Sequence, residues 1–499
     1  MMENVFDLPK GWTWASLEEI IDSLRDGTHN PPTRVEEGIP LLSARNIKDG
    51  FIDFEEGFSF ISEKDFFEIS KNNPILRNDI LLTIVGTIGR ACVCKLDKEF
   101  TVQRSVAIIR TFSDYINPTY IQYLFISSNF RRLLSKGAKG TAQMGIYLNA
   151  LKKLPIQISP FPEQHRIVAK IEELFTKLDA GVEALKKIKE QLKRYRQAVL
   201  KYAFEGKLTQ EWREAHKGKI EPASVLLERI KEERKKNGKG KYKELPPIDT
   251  SELSELPEGW EWTRVGEIME VVRGASPRPK GDPRYFGGDI PWIMISDISK
   301  EKGKYISTTR DTVTEEGKGK SRYLKAGTLI LSNSGTVCVP KILAVNGCIH
   351  DGFVAFPDLS DNLEIFYCYY FFDHIRPKII QENKQGVTQV NLNTDIVRNM
   401  NICLPSQEEQ KQIFEEIESR LSVADEVEKV AEQSLKQSER LRQSILKQAF
   451  EGKLVSQDPT DEPAEKLLER IRGEKARQEA ENKREKEHKN KKTKQMELI

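Results

Sequence analysis

YRQAVLKYAFEGKLT (195–209) returns as LRQSILKQAFEGKLV (441–455), and these two stretches are identical at 10 of 15 positions. Only about one identity would be expected by chance among twenty residue types. Further blocks return in the same order, including LPKGWTW (8–14) as LPEGWEW (256–262) and EPASVLLERI (221–230) as EPAEKLLERI (462–471). The chain is therefore a tandem repeat of one unit, and any function assigned to one copy must be considered for both.

The composition excludes several classes of protein. The 499 residues carry a net charge of +3, with 38% hydrophobic and 31% charged residues, which is typical of globular domains combined with long solvated helices. No run approaches 18 apolar residues and no signal sequence is recognisable, so we expect a cytoplasmic protein that does not contact a membrane. The six cysteines lack CxxC or zinc-ligand spacing, so we expect reduced, buried thiols.

Each copy begins with an irregular front and ends in a helix. The fronts contain short apolar runs such as DILLTIVG (79–86), punctuated by Gly, Pro and Asn, which predict strands and turns. Residues 163–204 and 408–450 instead carry apolar residues at steps of three and four over about six heptads. Gly206 follows the first helix as a natural stop. We call the apolar positions predicted to pair the two helices the seam. Its members are Ile167, Ile171, Leu174, Leu178, Leu185, Leu192 and Val199 in the first helix and Ile413, Ile417, Leu421, Val427, Leu435 and Ile445 in the second.

An amphipathic helix of roughly 63 Å cannot bury its stripe alone, and the other copy's helix has the matching length. Periodicity does not decide whether the two pair in parallel or antiparallel. A pseudo-twofold tandem repeat favours the antiparallel coiled coil. The expected fold class is α+β, with two mixed α/β domains joined by two long helices. The expected segments are 1–158 and 254–404 (fronts), 159–208 and 405–455 (helices), 209–253 (basic linker) and 456–499 (charged tail).

The basic charge is local. Residues 213–243 hold eleven Lys/Arg against five Glu, and residues 472–499 hold ten against six. For both segments we weigh a solvated, partly helical connection against contact with nucleic acid or a partner.

Motifs for catalysis or metal binding are absent from the sequence. Asn30-Pro31-Pro32-Thr33 lacks the aromatic residue with which an amino-methyltransferase would grip a flipped base, and no glycine-rich nucleotide loop occurs. The six histidines are scattered, and the carboxylates form no recognisable metal-nuclease pattern. We therefore predict neither a catalytic residue nor a metal site, and favour a binding or scaffolding protein.

The fronts carry side chains suited to DNA. Arginine pairs with guanine and Asn or Gln with adenine through two hydrogen bonds in the major groove, whereas Lys mainly contacts phosphates. The candidates in the first copy are Arg25, His29, Arg34, Arg45, Asn46, Arg90, Lys139 and Gln143. Those in the second copy are Arg273, Ser276, Arg278, Lys280, Arg284, Lys318, Lys320, Arg322, Gln385, Gln389 and Asn391. Segments 25–34 and 273–288 occupy equivalent places yet differ in sequence, which suits two readers of different half-sites.

The chain resembles the specificity subunit of a type I restriction–modification system. The resemblance rests on the two LPxGWxW openings, the ILLTIVGTIG (80–89) and LILSNSGTV (329–337) strands, Pro162-Glu163-Gln164 and Glu408-Glu409-Gln410 at the helix starts, and the two AFEGKL ends. It covers nearly the whole chain. The second copy departs in having Gln407-Glu408-Glu409-Gln410 where a Pro-x-x-Glu-Gln opening is commoner, and the tail beyond residue 456 is unusually long and charged.

The resemblance implies a non-catalytic subunit with two target-recognition domains, each reading one half of a split site in double-stranded DNA. The helices would set the gap between the halves and dock two adenine N6-methyltransferase subunits, and that complex would recruit translocating restriction subunits. S-adenosylmethionine, ATP and Mg²⁺ would bind to those partners, with no cofactor in this chain. Two alternatives remain open: a specificity subunit of a modification-only system, and a DNA-bridging or regulatory protein without an enzyme partner.

Overall fold

The computed structural model describes residues 8–29, 32–138, 144–237, 245–251, 253–301, 303–333, 337–385 and 392–496. The chain divides into two compact units. Unit 1 comprises residues 1–185 and 432–499, and unit 2 comprises residues 186–431. Each unit therefore combines the front of one copy with helical segments from both copies.

The two copies share a common order of elements. In the first copy they are β1 (Thr13–Ser16), α1 (Leu17–Ile20), β2 (Ile21–Asp26), β3 (Ile39–Leu42), β4 (Ser59–Ile61), α2 (Glu63–Asn72), β5 (Ile80–Thr83), β6 (Ala91–Val93), β7 (Thr101–Val102), β8 (Val106–Thr111), α3 (Pro118–Ile126), α4 (Ser128–Gly137), α5 (Leu148–Lys152), β9 (Pro155–Ile158), α6 (Phe161–Phe204), α7 (Gln210–Ala215) and α8 (Ala223–Asn237). In the second copy they are β10 (Glu261–Arg264), α9 (Val265–Ile268), β11 (Val272–Arg273), β12 (Phe286–Ile293), α10 (Ile295–Lys300), β13 (Tyr305–Ile306), β14 (Asp311–Val313), α11 (Glu315–Gly319), β15 (Arg322–Leu324), β16 (Leu329–Ser332), β17 (Pro340–Leu343), β18 (Gly347–Ile349), β19 (Phe353–Phe356), α12 (Ile365–Gln385), α13 (Thr394–Arg398), β20 (Asn401–Leu404), α14 (Gln407–Phe450) and α15 (Ala464–Met496). To the common order the second copy adds α10, β13 and β15, and within the described residues it lacks a counterpart of α7.

The sheets repeat one topology. Unit 1 contains an antiparallel sheet in the order β2-β8-β5-β6, a sheet in the order β4-β3-β7 and the pair β1-β9. Unit 2 contains β11-β19-β16-β17-β13, β14-β12-β18-β15 and β10-β20, so it keeps each order and adds one edge strand to two of the sheets. In both units the strand that follows the first long turn pairs in parallel with a short later strand, β3 with β7 and β12 with β18. The structure thus confirms the mixed helix and sheet composition of both copies.

Helices α6 and α14 confirm the two predicted long helices. Each contains 44 residues, which corresponds to about 66 Å at 1.5 Å per residue. Gly206 and Gly452 both have φ of +68°, a conformation that costs a glycine little and ends each helix in the same way. Both helices begin in one unit and end in the other.

The predicted seam is largely buried in its own unit. Ile167 and Ile171 lie in the core of unit 1 with Ile445, and Val199 lies in the core of unit 2 with Ile413 and Ile417. The partly buried members of the seam are Leu174, Leu178, Leu185, Leu192, Leu421 and Leu435.

The prediction for Val427 was wrong, because its side chain is 42% exposed. The buried stripe of α14 runs through Ala424 and Ala431 instead. The position between them is Glu428, which accepts a hydrogen bond from Arg196 of α6 at 2.9 Å. A charged residue is tolerated there because its partner comes from the facing helix.

The segments predicted as a linker and a tail contain core helices. Ala223, Leu226 and Ile230 of α8 are buried in unit 2. Their equivalents in α15, which include Ala464 and Leu467, are buried in unit 1. The EPAxxLLERI repeat is therefore an amphipathic helix that completes a core in each unit.

Candidate nucleic-acid interface

A glycine fixes the path of the first candidate loop in unit 1. Gly27 lies at the end of β2 and donates its N–H to the carbonyl of Val106 at 3.0 Å, while Thr28 donates to Val102 at 3.0 Å. A Cβ at position 27 would lie 2.1 Å from the oxygen of Val102, so no other residue fits this backbone path. The loop that begins at residue 25 is thereby held against the turn between β7 and β8.

Unit 2 builds the same junction 247 residues later. Gly274 donates to Phe353 at 2.9 Å, and Ala275 donates to Ile349 at 3.2 Å. A Cβ at position 274 would lie 2.1 Å from the carbonyl oxygen of His350. The two loops share little sequence, yet the backbone hydrogen bonds at the start of each loop are equivalent.

In unit 1 this junction borders a groove of about 570 Å³. Arg45, Arg90 and Arg104 line it together with Gln103 and the hydroxyl-bearing wall residues Ser43, Thr87 and Ser105. Within the described part of the chain, no carboxylate forms an ion pair with any of the three arginines. Glu56 also lines the groove, but its carboxylate is hydrogen-bonded to Lys48. The groove is therefore a concave surface with excess positive charge and free donors.

In unit 2 three segments meet at the equivalent place. The hydroxyl of Ser321 donates to the carbonyl of Ala275 at 2.6 Å, and the hydroxyl of Ser276 donates to Asp351 at 3.0 Å. Arg273 donates through Nε to the backbone oxygen of Asp351 at 3.2 Å. These contacts gather the loop after β11, the start of β15 and the turn between β18 and β19.

The surface around this junction is also basic. Arg278, Lys280, Lys320 and Arg322 are exposed. Burial lowers the pKa of His350, and the positive charges of Arg278 and Lys280 lower it further, against the opposing effect of Asp351. The neutral form of His350 is therefore favoured relative to that of a free imidazole, close to a cationic loop.

The predicted residues of the first copy fall into distinct places. Arg45 and Arg90 lie together in the groove, and Arg34 is exposed. Arg25 donates to the carbonyl of Asn72 at 2.7 Å, and His29 lies 2.8 Å from Asp26. Lys139 and Gln143, like residues 30 and 31, lie outside the described residues.

The prediction that Asn46 contacts DNA was wrong. Asn46 is fully buried, accepts a hydrogen bond from the backbone of Ser43 at 3.0 Å, and donates to the carbonyls of Asp53 at 3.2 Å and Glu56 at 3.0 Å. Asp297 accepts the same bond from Met294 at 2.9 Å in unit 2. The residue at this position stabilises a turn in both copies, because a short polar side chain there satisfies a buried backbone N–H.

The residues of the second copy also separate. Arg273, Ser276 and Arg278 surround Asp351. Arg284 pairs with Asp282 at 2.7 Å, and Lys318 pairs with Glu315 at 3.2 Å, so their charges are partly neutralised. Gln389, Asn391 and the side chain of Gln385 lie outside the described part.

Sequence reasoning missed Gln103 and Arg104, which the fold places in the wall of the groove. A signal was available, since aligning the two copies puts Gln103-Arg104 opposite His350-Asp351. Both pairs are polar residues between two buried strands. The alternation of polar and apolar residues along a strand does not explain two adjacent polar residues there.

The described residues give no indication of a metal site, a disulfide bond or a membrane-spanning helix. They contain no group of three or more His, Cys, Asp or Glu side chains placed to hold a metal ion. All six cysteines are buried and unpaired. No helix in the described ranges is long and apolar enough to span a membrane.

Two copies of one mixed α/β unit, each with a basic surface at the same strand junction, define a tandem-repeat protein with a candidate nucleic-acid interface in each unit. A family model described as the type I restriction modification DNA specificity domain matches residues 9–194 and 257–437. The chain therefore belongs to this family, whose relatives are named specificity subunits, the non-catalytic recognition chains of such systems.

Individual relatives extend this match. The StySPI specificity subunit of Salmonella potsdam is 24% identical over 94% of this chain and 96% of its own length. The EcoBI specificity subunit of Escherichia coli is 30% identical over 46% of this chain, and that match spans half of the relative. The solved HsdS subunit from Thermoanaerobacter tengcongensis has a TM-score of 0.54 at 20% identity and covers 91% of this chain and all of its own. A chain from a structural study of type I restriction–modification complex assembly has a TM-score of 0.62 at 19% identity, with 90% of this chain and all of its own covered. The last two similarities concern the fold alone.

Proposed function

We propose that this chain recognises a bipartite site in double-stranded DNA for a type I restriction–modification complex, with one half-site read by each unit. The observation that carries the proposal is the shared junction at Gly27 and Gly274. One backbone arrangement presents arginines and Gln103 in unit 1, and Ser276, Arg278 and Asp351 in unit 2. Equivalent scaffolds with different polar side chains are what two readers of different sequences require.

The charged and polar side chains at each junction are suited to two kinds of DNA contact, to base edges and to phosphates. Arginines that lack a carboxylate partner can pair with guanine edges, and Asn, Gln or Asp can contact adenine or cytosine. Exposed cations such as Lys280 and Lys320 would contact phosphates and set the position of the unit on the duplex. Because those contacts are electrostatic, we expect affinity for DNA to fall steeply with salt.

We further propose that α6 and α14 pair as an antiparallel coiled coil that fixes the gap between the half-sites. Ion pairs between the helices support this within each unit, Asp179 with Arg442 in unit 1 and Arg196 with Asp425 in unit 2. Higher numbers on α6 face lower numbers on α14, as antiparallel helices require. A helical spacer resists bending over a length of about 66 Å, so it would hold the spacing constant.

The same helices offer a docking surface for two methyltransferase subunits. On α6, Ile188, Tyr195 and Tyr202 recur at intervals of seven and are 36%, 42% and 48% exposed. On α14, Val423, Val427 and Val430 form an exposed stripe at steps of four and three. Apolar side chains at heptad spacing on a solvated helix indicate a second helical partner. In this proposal restriction subunits join that complex in the cytoplasm, and S-adenosylmethionine, ATP and Mg²⁺ bind to the partner chains.

Single-molecule sequencing tests the proposal. DNA is taken from cells that express this chain with the neighbouring methyltransferase, and the control culture lacks this chain. We expect a split motif with N6-methyladenine in both halves only when the chain is present. Unchanged methylation in the control would overturn the proposal and favour a DNA-bridging protein without an enzyme partner.

Exchanging residues 273–288 for the equivalent loop of a relative tests the independence of the two units. We expect only one half of the methylated motif to change. A change in both halves would contradict independent reading.

A further inference from the structure

One turn holds the same backbone position in both units and differs completely in its side chains. In unit 1 the turn between β7 and β8 contains Gln103 and Arg104, and in unit 2 the turn between β18 and β19 contains His350 and Asp351. The interval between equivalent residues is again 247, the interval that relates Gly27 to Gly274. Strand pairing and the glycine junction therefore fix which residues correspond.

The backbone of the turn in unit 1 is held from both sides. Arg104 donates its N–H to the carbonyl of Thr28 at 3.2 Å, and Gln103 donates to Leu42 at 2.8 Å. The hydroxyl of Ser105 accepts the N–H of Ala44 at 3.1 Å. Because the backbone of this turn is held in place, the side chains of Gln103 and Arg104 start from a fixed point on the wall of the groove.

Arg104 is exposed and lines the groove with Arg45 and Arg90. Its guanidinium forms no ion pair or hydrogen bond within the described part of the chain. Five N–H donors in a planar fork match the two acceptors of a guanine edge. Gln103 in the same wall offers both a donor and an acceptor, as adenine does.

Unit 2 presents the opposite character at this position. The carboxylate of Asp351 is 35% exposed and accepts from Ser276 at 3.0 Å, which orients it. Oδ1 also lies 3.0 Å from Nε2 of His350, while Arg278 is 3.8 Å from Oδ2. A fixed carboxylate accepts hydrogen bonds from the exocyclic amino group of cytosine, and it repels the acceptor edge of guanine.

We infer that Arg104 and Asp351 are specificity-determining residues at equivalent places in the two units. Arg104 is the donor that selects guanine in one half-site. Asp351 is the acceptor that selects a base with an exocyclic amino group, preferably cytosine, in the other half-site. This inference rests on the proposed function and names the bases which that function leaves open. It requires each residue to govern one base pair of its own half-site.

The test compares methylated motifs for Arg104→Ala, Arg104→Lys and Asp351→Asn with the unaltered chain, each expressed with the methyltransferase. Arg104→Lys keeps the charge but loses the two-pronged contact. We expect both Arg104 variants to relax one guanine position in one half-site, and Asp351→Asn to relax one position in the other. Arg77→Ala serves as the matched control, because Arg77 is exposed in unit 1 and already paired with Asp97 at 3.2 Å.

A second measurement covers variants that no longer support methylation. The purified complex is titrated with duplexes that carry each base substitution, after its unfolding curve has been compared with that of the unaltered complex. A roughly tenfold or greater loss of preference at one base pair supports the inference. A uniform loss across all duplexes, with Arg104→Lys restoring affinity, would assign Arg104 to phosphate and overturn it.

The outcomes also separate the inference from the proposed function. Unchanged motifs in all three variants, with methylation still dependent on the chain, would refute the inference alone. Methylation that does not depend on the unaltered chain would refute the proposed function.

Discussion

The indole N–H of Trp260 donates to Oε2 of Glu409 at 2.8 Å and links the opening of the second front to the first turn of α14. Unit 1 repeats this bond between Trp12 and Glu163 at 3.0 Å. The Oε1 atoms of the two glutamates differ in their hydrogen-bond partners. Oε1 of Glu409 accepts from Thr209 at 2.7 Å and pairs with Arg213 at 2.8 Å, whereas Oε1 of Glu163 is buried without a partner in the described chain.

The repeat explains this difference. At the interval of 246 that relates the FEGKL stretches, Thr209 corresponds to Val455 and Arg213 corresponds to Pro459. Neither replacement can donate a side-chain hydrogen bond. Burial accordingly raises the pKa of Glu163, against the lowering effect of the bond from Trp12.

Glu409→Gln and Glu163→Gln should therefore have unequal effects. Removing the charge of Glu409 leaves Arg213 without its buried partner, and we expect unit 2 to lose about 2–3 kcal/mol of stability. Glu163→Gln should change unit 1 by less than about 1 kcal/mol at neutral pH. Hydrogen exchange resolved by unit measures both, and equal losses would contradict the asymmetry.

The same carboxyl predicts a pH dependence. Because the pKa of Glu163 is raised in the folded state, its protonated form is favoured there, and stability is lost as pH rises through that pKa. The difference between the unaltered chain and Glu163→Gln should therefore be small well below pH 4.5, the ordinary pKa of the group, and grow towards neutrality. Unfolding followed across this range checks the sign, and a difference confined to acidic pH would refute it.

Val455→Thr should supply the missing donor. The substitution nearly preserves volume and places a hydroxyl where Thr209 serves Glu409. We expect unit 1 to gain about 0.5–1.5 kcal/mol. Glu163→Gln/Val455→Thr is the control, because removing the charge should reduce the benefit of the new hydroxyl, and an equal gain in both backgrounds would show that the bond does not form.

Gly27→Ala should displace the loop after β2, since the added Cβ would lie 2.1 Å from a backbone oxygen that the sheet holds in place. We expect at least a tenfold loss of DNA affinity in the assembled complex, with a smaller effect on global unfolding. Gly57→Ala is matched to it, because a Cβ there meets nothing within 4 Å. Equal DNA affinity of the two variants would show that the junction does not belong to the recognition surface.

Val423→Lys/Val430→Lys should weaken the association with the methyltransferase at least tenfold. Both side chains belong to the exposed stripe of α14, and two charges there would have to be desolvated on docking. Ser422→Lys adds a charge on the same helix about 100° away from the stripe. Co-purification with the partner measures the effect, and retention by the double variant would place the docking surface elsewhere.

The two copies, the two long helices and the strand-rich fronts could be predicted because each depends on local pattern. Heptad spacing placed the helices within two residues of α6 and α14, and the stop at Gly206 followed from backbone freedom at a helix end. Charged composition was a poorer guide. It predicted a linker and a tail where α8 and α15 each bury one apolar face.

The candidate interface could be predicted only in part. Arg45 and Arg90 were chosen from their residue type, and the fold brings both into one groove. Asn46 was chosen for the same reason, but it is buried and serves the turn. Arg104 was overlooked because it is distant in sequence from the loop that contacts its backbone.

Sequence by itself determined that this chain carries two copies of one unit with a long helix in each, because repeats and periodicity are properties of neighbouring residues. The tertiary structure decided which copy's helices complete which core, and which polar side chains face a groove rather than a buried carbonyl. Those outcomes depend on contacts between residues far apart in the chain, such as Gly274 with His350, whose closeness is produced by strand pairing and not by any local preference.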